Sequence, residues 1–257
     1  MGKRQTRDSD IVTVYKRRRT VNGKRLALAI VLLALLIEVG IAAFTSPWLD
    51  VKRIQVIGIK TIPSADILSH INLGPHANIF RLHKRAIESD IRLNPVVAMV
   101  EIHRRPPGTI VVMITERKAS FLLESRGTLF QVDASGVPFR LVGDNPGGLP
   151  IIAYELSHGV ILGRSLKNPQ FIGAMQALAI AREKKISRVS RISVDQTGDL
   201  CLNVSDEFDI KLGRAEQLPD KLGTAAQVID QYPDLRKHGG YLDFTCAEAP
   251  ALKLKNQ

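Results

Sequence analysis

The amino-acid sequence predicts an α+β protein that is held in a membrane by one N-terminal helix. Residues 26–44 form an apolar stretch with a single charged residue, directly after a basic segment. Residues 50–118 show strand and helix patterns in the order β-α-α-β-β, and residues 119–257 consist mostly of short apolar runs separated by turn residues. We therefore expect four parts: a basic tail (1–25), a transmembrane helix (26–44), a first α+β domain (50–118) and an antiparallel β domain with flanking helices (119–257).

The tail carries nine Lys or Arg against Asp8 and Asp10. Basic residues collect on the cytoplasmic side of a membrane segment, so we expect a cytoplasmic N-terminus and an extracytoplasmic chain after the span. The run KRRRTVNGKR could bind the phosphates of a nucleic acid. It lies directly before the span, however, where anionic lipids attract the same residues, and it has no aromatic residue to stack on bases. We expect contact with the lipid bilayer and none with nucleic acid.

The predicted span runs from Leu26 to Phe44. Its nineteen residues would make a helix of about 28 Å, close to the roughly 30 Å thickness of the hydrocarbon core. A cleaved signal peptide is the competing interpretation, and we disfavour it because the apolar stretch is long and lacks a clean small-x-small site. Glu38 leaves two interpretations open. It is either a neutral or snorkelling carboxyl, or a polar contact with a partner's transmembrane helix.

The segment from residue 50 onward begins with a short strand, VKRIQVIGI, that ends in a turn. The stretch PSADILSHINLG predicts a helix with Ser64 as its N-cap and Gly74 as its stop. A second amphipathic helix follows in LHKRAIESDIRLNP, which Pro95 ends. Its predicted buried stripe consists of Leu82, Ile87, Ile91 and Leu93.

Two β-branched runs, VVAMVEIH and TIVVMITE, complete this domain as a hairpin. In the first run one face is predicted to hold Val96, Ala98, Val100 and Ile102. Between the runs lies HRRPPG, whose prolines and glycine predict a turn, with Arg104 and Arg105 keeping its tip solvated. An anionic wall polymer or an acidic partner patch is the alternative use of these two arginines.

The chain after residue 119 predicts successive antiparallel strands in SFLLES, TLFQVD, VPFRLV and LPIIAYEL. A helix follows with Asn168 as its N-cap and Pro169 at its first position. Three more strands, a second helix in AEQLPDKLGTAAQVIDQY and a closing hairpin, YLDFTC with APALKLK, complete the domain.

Residues suited to catalysis or to metal binding show no useful spacing. The six histidines are scattered, and neither a nucleophile elbow nor a phosphate-binding or dinucleotide-binding loop is present. In the strand pattern Cys201 points away from the apolar face, whereas Cys246 shares the face of Leu242 and Phe244, so we expect no disulfide unless adjacent sheets permit one. We predict a non-enzymatic binding protein with no catalytic residue, cofactor, metal or small-molecule substrate.

The order of these parts and several motifs resemble the bacterial FtsQ/DivIB cell-division family. VKRIQVIGIKTIPSADILSHI is similar to the opening strand and helix of that family's POTRA domain, and LNPVVAMVEIHRRPPGTIVVMITERKASFLL resembles its most recognisable segment. LFQVDASGVPF, IKLGR and YLDFTCAEAPALKLK are similar to later parts of its β domain. The resemblance covers nearly all of residues 24–255.

The resemblance implies an essential-type divisome scaffold in the bacterial inner (cell) membrane, concentrated at the division septum. It would link early and late division proteins and help to control septal cell-wall synthesis. Its implied partners are FtsB-like and FtsL-like proteins, with FtsW/FtsI-like and FtsK-like proteins as further candidates. The implied docking site is the last strand with its neighbour, which comprises Tyr241, Asp243, Thr245, Ala249, Ala251, Leu252 and Lys253.

Two other interpretations of the same sequence stay open at this point. The last strand could simply close the core of its domain. The whole chain could be a membrane-anchored POTRA scaffold, or a chaperone for protein transport, that has no role in division. An outer-membrane transporter is disfavoured because the chain after the first domain is too short for a membrane β-barrel.

Overall fold

The computed structural model describes residues 23–143, 147–186, 189–205, 208–232, 235, 240–246 and 250–254. Most of the predicted basic tail and Ala249 of the predicted docking strand lie outside these residues. The side chain of Phe44 also lies outside them, although its backbone belongs to the first helix.

The first helix, α1, comprises Gly23–Thr45. Within it Gly23–Ala42 has a mean hydropathy of 2.4, and none of this stretch is buried inside the protein. Length and composition therefore suit a membrane crossing, with Leu26 near the start of the helix and Glu38 exposed in its C-terminal half. A short 3-10 helix, Pro47–Leu49, follows directly.

The first sheet has three strands and two helices on one face, in the predicted β-α-α-β-β order. The elements are β1 (Arg53–Ile57), α2 (Ser64–Ser69), α3 (Lys84–Ile91), β2 (Val97–Arg105) and β3 (Thr109–Glu116). The spatial order is β1-β3-β2, with β1 parallel and β2 antiparallel to β3. The core between sheet and helices is rich in isoleucine and includes Ile67, Ile79, Ile91, Ile110 and Ile114.

Four local predictions for this sheet were wrong. Helix α2 ends at Ser69, with His70 at its C-cap, and not at Gly74. Ser64 is the first residue of α2 rather than its N-cap, and Pro63 takes the cap position without a side-chain bond. Leu93 is 74% exposed because α3 ends at Ile91. Ala98 is exposed whereas Val97 is buried, since a bulge between Val97 and Met99 reverses the alternation there.

The second sheet has nine strands, and the buried core lies between it and two helices. Its elements are β4 (Phe121–Ser125), β5 (Thr128–Val132), β6 (Pro138–Val142), β7 (Ile151–Ala153), α4 (Pro169–Glu183), β8 (Arg191–Val194), β9 (Leu200–Ser205), β10 (Phe208–Gly213), α5 (Leu218–Gln231), β11 (Gly240–Asp243) and β12 (Ala251–Leu254). Pro169 begins α4 as predicted, and Asn168 takes the N-cap position without a side-chain cap bond. The spatial order is β12-β11-β10-β9-β8-β7-β4-β5-β6.

The α+β fold class is confirmed, but the second sheet is mixed rather than wholly antiparallel. The pairs β4/β7, β7/β8 and β10/β11 are parallel. Helix α4 connects β7 to β8 and helix α5 connects β10 to β11. A helical crossover brings the chain back to the end of the sheet where it started, so the two strands that it joins run parallel.

Two consecutive residues at the end of β3, Glu116 and Arg117, lie at the junction between the two sheets. Glu116 accepts hydrogen bonds from the backbone N–H groups of Lys60, Thr61 and Ile62, with N···Oε1 distances of 2.6, 2.9 and 3.2 Å. Burial pushes the pKa of the Glu116 carboxyl upward, but these bonds outweigh it and lower the pKa to about 2. Glu116 thereby holds the turn that leads into α2.

Arg117 makes the contact between the sheets themselves. Its Nε donates to the carbonyl oxygen of Pro95 at 3.1 Å, and its Nη1 lies 2.5 Å from Oδ2 of Asp133 on the other sheet. A second link joins Nη2 of Arg140 to Oγ1 of Thr61 at 2.8 Å. The two sheets therefore contact each other through directed polar bonds.

Candidate docking edge

The strand β12 forms one edge of the nine-stranded sheet. It pairs antiparallel with β11, in a register that places Lys253 opposite Tyr241 and Leu252 opposite Leu242. On its other side no strand lies beside it in the part of the chain that the structure describes. The edge therefore presents backbone N–H and C=O groups that a further strand could pair with.

All four side chains of β12 are exposed, including two leucines. Leu252 is 45% and Leu254 is 47% exposed, whereas Leu242 on the neighbouring strand is buried. A strand that only closed the core would bury the leucines on its inner face. The exposed leucines therefore extend the apolar face of the sheet beyond its own core.

The opposite face of the edge is polar and charged. The Nζ atom of Lys211, on β10, lies 3.8 Å from the ring centroid of Tyr241. Lys211 is also the register partner of Asp243. A hydrogen bond from the Thr245 hydroxyl holds the pKa of the Asp243 carboxyl below its usual range. The Thr245 backbone N–H donates to the same oxygen at 2.9 Å.

Gly240 allows the close approach of the last two strands. Its φ is 134°, a conformation that side chains rarely adopt. A Cβ at this position would lie 2.3 Å from the carbonyl oxygen of Lys253. Glycine is therefore required where β11 begins to pair with β12.

Two of the other sheet edges are partly occupied by neighbouring segments. On β2 the backbone N–H of Ile102 donates to Glu88, and its carbonyl oxygen accepts from Nζ of Lys84, both on α3. On β6 the backbone N–H of Gly163 donates to the carbonyl oxygen of Pro138 at 2.7 Å. These bonds occupy part of the β2 and β6 edges, and β12 has no such bond among the described residues.

The structure brings most of the predicted docking residues together. Tyr241, Asp243 and Lys253 lie on the polar face, Leu252 lies on the apolar face, and Ala251 opposes Asp243. Thr245 follows β11 and binds Asp243. Sequence reasoning missed Lys211 because a helix separates β10 from β11 along the chain, and their pairing leaves no local pattern.

The hairpin tip is remote from this edge in the other sheet. Residues 106–108 connect β2 to β3, which agrees with the predicted turn. Arg105 is exposed as expected, but the half-buried Arg104 donates from Nη2 to the carbonyl oxygen of Leu82 at 2.8 Å. The prediction that both arginines keep the tip solvated was therefore wrong for Arg104, which holds the segment before α3 in place.

The two cysteines lie as free thiols near the docking edge. Cys201 is half-buried on β9, and burial raises the pKa of its thiol to about 11. Cys246 is exposed and does not share the buried face of Leu242 and Phe244, because β11 ends at Asp243 before the chain bends. The predicted placement of Cys246 was therefore wrong.

Sequence comparisons match both parts of the chain after α1. Residues 49–117 match the POTRA domain, FtsQ-type, and residues 120–244 match the family described as cell division protein FtsQ/DivIB, C-terminal. A cell division protein FtsQ from Streptomyces collinus is 25% identical over 242 residues, covering 89% of this chain and 88% of the relative. A cell division protein DivIB from Clostridium acetobutylicum is 27% identical over 220 residues, covering 81% of this chain and 84% of the relative.

A third relative extends the range of organisms. The FtsQ of Corynebacterium glutamicum is 24% identical over 210 residues, covering 81% of this chain and 92% of that protein. Along the chain the apolar helix α1 comes first, the POTRA match second and the C-terminal match third, which is the order that the strand and helix pattern of the sequence predicts. The chain is a member of the FtsQ/DivIB family of cell division proteins.

Proposed function

We propose that this protein is a divisome scaffold that acts by binding partners and not by catalysis. It would link early and late division proteins and help to control septal cell-wall synthesis. The bare edge of β12, with Leu252 and Leu254 exposed on one face, is the observation that carries the proposal. FtsB-like and FtsL-like proteins are the proposed occupants, with FtsW/FtsI-like and FtsK-like proteins as further partners.

The proposed arrangement places residues 1–25 in the cytoplasm and residues 26–44 in the bacterial cell membrane. The POTRA domain, residues 50–118, and the β domain, residues 119–257, would lie on the extracytoplasmic side at the division septum. The nine basic residues in the tail support this orientation.

Strand addition is the proposed mode of recognition. A partner segment would pair its backbone with β12, while its side chains alternate between Leu252 and Leu254 on one face and Lys253 on the other. Membrane anchoring of both proteins confines their search to the membrane surface. Several weak contacts can then act together through a high effective concentration.

Proline and alanine at Lys253 provide a matched test of strand addition. Lys253→Pro removes the N–H of the residue that pairs with Tyr241 and so distorts the edge strand, and we expect it to weaken binding of an FtsB-like segment about tenfold or more. Lys253→Ala keeps the donor and should bind nearly as the parent does. The measurement is the Kd of the full chain in nanodiscs, and an unchanged affinity of the proline variant would contradict docking on β12.

The exposed leucines provide an independent test of the same edge. Leu252→Asp with Leu254→Asp should abolish photo-crosslinks from this strand to partners in cells. Leu141→Asp alters another exposed leucine, on the opposite edge strand β6, and should leave the crosslinks intact. Loss of crosslinks in both variants would point to a general folding defect.

Localisation separates the division proposal from its alternative. A fluorescent fusion of the full chain should form a band at midcell. A uniform signal around the cell would instead favour an envelope scaffold, or a chaperone for protein transport, outside division.

A further inference from the structure

The chain enters the POTRA domain almost directly from the membrane helix. Leu49 and Val51 are already bound to the domain, through backbone bonds of 2.9 Å with Ile79 and Ala77. Both residues pack against the POTRA core. Only residues 46–48 lie between Leu49 and the end of α1 at Thr45, and these four Cα-to-Cα steps span at most about 14 Å. The adjacent end of the domain therefore lies close to the lipid headgroups.

That end consists of three segments that hydrogen bonds hold together. We define residues 46–53, 76–86 and 102–110 as the membrane-proximal base. The hairpin tip meets the start of β1, since the carbonyl oxygen of Gly108 accepts from the backbone N–H groups of Lys52 and Arg53 at 2.8 and 3.1 Å. The bond from Arg104 to Leu82 attaches the segment before α3 to the same hairpin.

The base is strongly basic. Its three segments contain seven Lys or Arg, namely Lys52, Arg53, Arg81, Lys84, Arg85, Arg104 and Arg105, and one acidic residue, Asp50. Asp50 is already occupied, because its Oδ2 lies 3.1 Å from Nδ1 of His76. Arg53, Thr109 and Arg105 form one row across the outer face of the sheet, and both arginines are exposed. Lys84 and Arg104 already donate to carbonyl oxygens of the domain, whereas the exposed side chains of Arg53 and Arg105 can bind an anion outside it.

The charge asymmetry is specific to this domain. Residues 50–118 carry eleven Lys or Arg against six Asp or Glu, whereas residues 119–257 carry sixteen of each. The excess positive charge of the chain after the membrane helix therefore lies in the POTRA domain, and seven of its eleven Lys or Arg belong to the membrane-proximal base.

We propose that the membrane-proximal base binds the anionic phospholipid headgroups of the leaflet on its own side of the membrane. Phosphate groups in that leaflet lie within reach of the row of arginines, and cations near such a surface are attracted to it. Trp48, which is 68% exposed in the part of the base next to α1, is suited to the interface between the hydrocarbon and the headgroups. The contact fixes the tilt of the domain and does not depend on any protein partner.

The test uses the full chain in nanodiscs, in a background with both native cysteines replaced by serine. A fluorophore on Thr109→Cys reports contact with headgroup spin-labelled lipid through quenching. We expect strong quenching in an equimolar mixture of phosphatidylcholine and phosphatidylglycerol, and weak quenching in phosphatidylcholine alone. Salt at about 1 M, where the Debye length falls to about 3 Å, should abolish the difference. A label at Lys60→Cys, at the far end of the domain, should stay unquenched.

Charge reversal identifies the residues responsible. Arg53→Glu with Arg105→Glu should weaken binding of the base to the headgroups by roughly 25-fold or more, since each basic residue contributes about fivefold. Arg92→Glu with Lys118→Glu makes the same change of charge on exposed residues outside the base and should leave headgroup binding unchanged. Circular dichroism confirms that each variant is folded.

Three outcomes would overturn the proposal. Equal quenching in the two lipid mixtures would show that headgroup charge is irrelevant. An equal loss of quenching in the two double variants, the one in the base and the one outside it, would show that the base has no special role. Quenching that appears only when an acidic partner protein is added would assign the base to that partner instead.

Discussion

Glu116 stabilises the POTRA domain through three backbone N–H groups and the hydroxyl of Thr61, which donates to Oε2 at 2.7 Å. The pKa of its carboxyl falls from 4.5 to about 2 on folding. A carboxyl with a lowered folded-state pKa contributes stability that is present above pH 4.5 and is lost as the pH falls toward 2. The acid sensitivity of the domain should therefore depend on this residue.

The variant Glu116→Gln tests that dependence. We expect it to lower the free energy of unfolding at neutral pH by roughly 1 kcal/mol, since the half-exposed carboxylate is partly screened by solvent. Its stability should also change less than that of the parent between pH 4.5 and 2. Thermal unfolding over this range measures both effects. Glu101→Gln, on the exposed face of β2, is the control, and an equal effect there would contradict the assignment.

At the scale of single residues, the sequence shows which charged groups are present but not which atoms they contact. The segment on which the family resemblance rests contains Glu116 and Arg117, but nothing in the sequence showed that Glu116 holds a turn in its own sheet while Arg117 binds Asp133. Lys211 was missed for a related reason. Its contact with Tyr241 depends on a pairing that the spacing of residues along the chain does not reveal.

At the scale of elements, β11 and β12 depend on Gly240. We expect Gly240→Ala to destabilise the pairing by more than about 1 kcal/mol, because the new Cβ combines a strained φ with a clash against Lys253. Faster hydrogen exchange at β12 and weaker partner binding would follow. Gly127→Ala is the matched control, since Gly127 has a φ of 70° but nothing within 4 Å of its added Cβ. Unchanged exchange at β12 in the Gly240 variant would contradict this role.

Helices and strands could be predicted from the sequence where a local pattern of residues determines them. Pro169 marks the start of α4 both in the sequence and in the structure. The strands of the nine-stranded sheet alternate in the same way whether they pair parallel or antiparallel, so their direction could not be read from alternation. The bulge between Val97 and Met99 likewise depends on pairing with β3 and leaves no signal within β2.

At the scale of the whole molecule, two links couple the sheets. Arg117 and Asp133 have side chains that are only 17% and 13% exposed. Thr61 joins Arg140 on one side to Glu116 on the other. A substitution that destabilises either sheet at this junction should therefore also lower the stability of the other sheet.

We predict that Arg117→Ala with Arg140→Ala separates the unfolding of the two sheets. The parent should unfold in one cooperative transition, and the variant in two, with roughly 1–3 kcal/mol lost from the mostly buried pair of Arg117 and Asp133. Calorimetry of the full chain in nanodiscs measures the transitions. Lys118→Ala with Arg214→Ala removes two exposed cations and is the control. A single transition in both variants would show that the links carry no coupling.

The short connection between α1 and the POTRA domain has a consequence for partner choice. Because Leu49 and Val51 bind the domain directly, no flexible linker sets the height of the folded part above the bilayer. The height of β12 is then fixed by folded structure. A membrane-anchored partner can add its strand only if its own chain places that strand at the same height. The length of the segment between a partner's membrane anchor and its added strand, and not affinity alone, would thus decide which anchored proteins can pair with this edge.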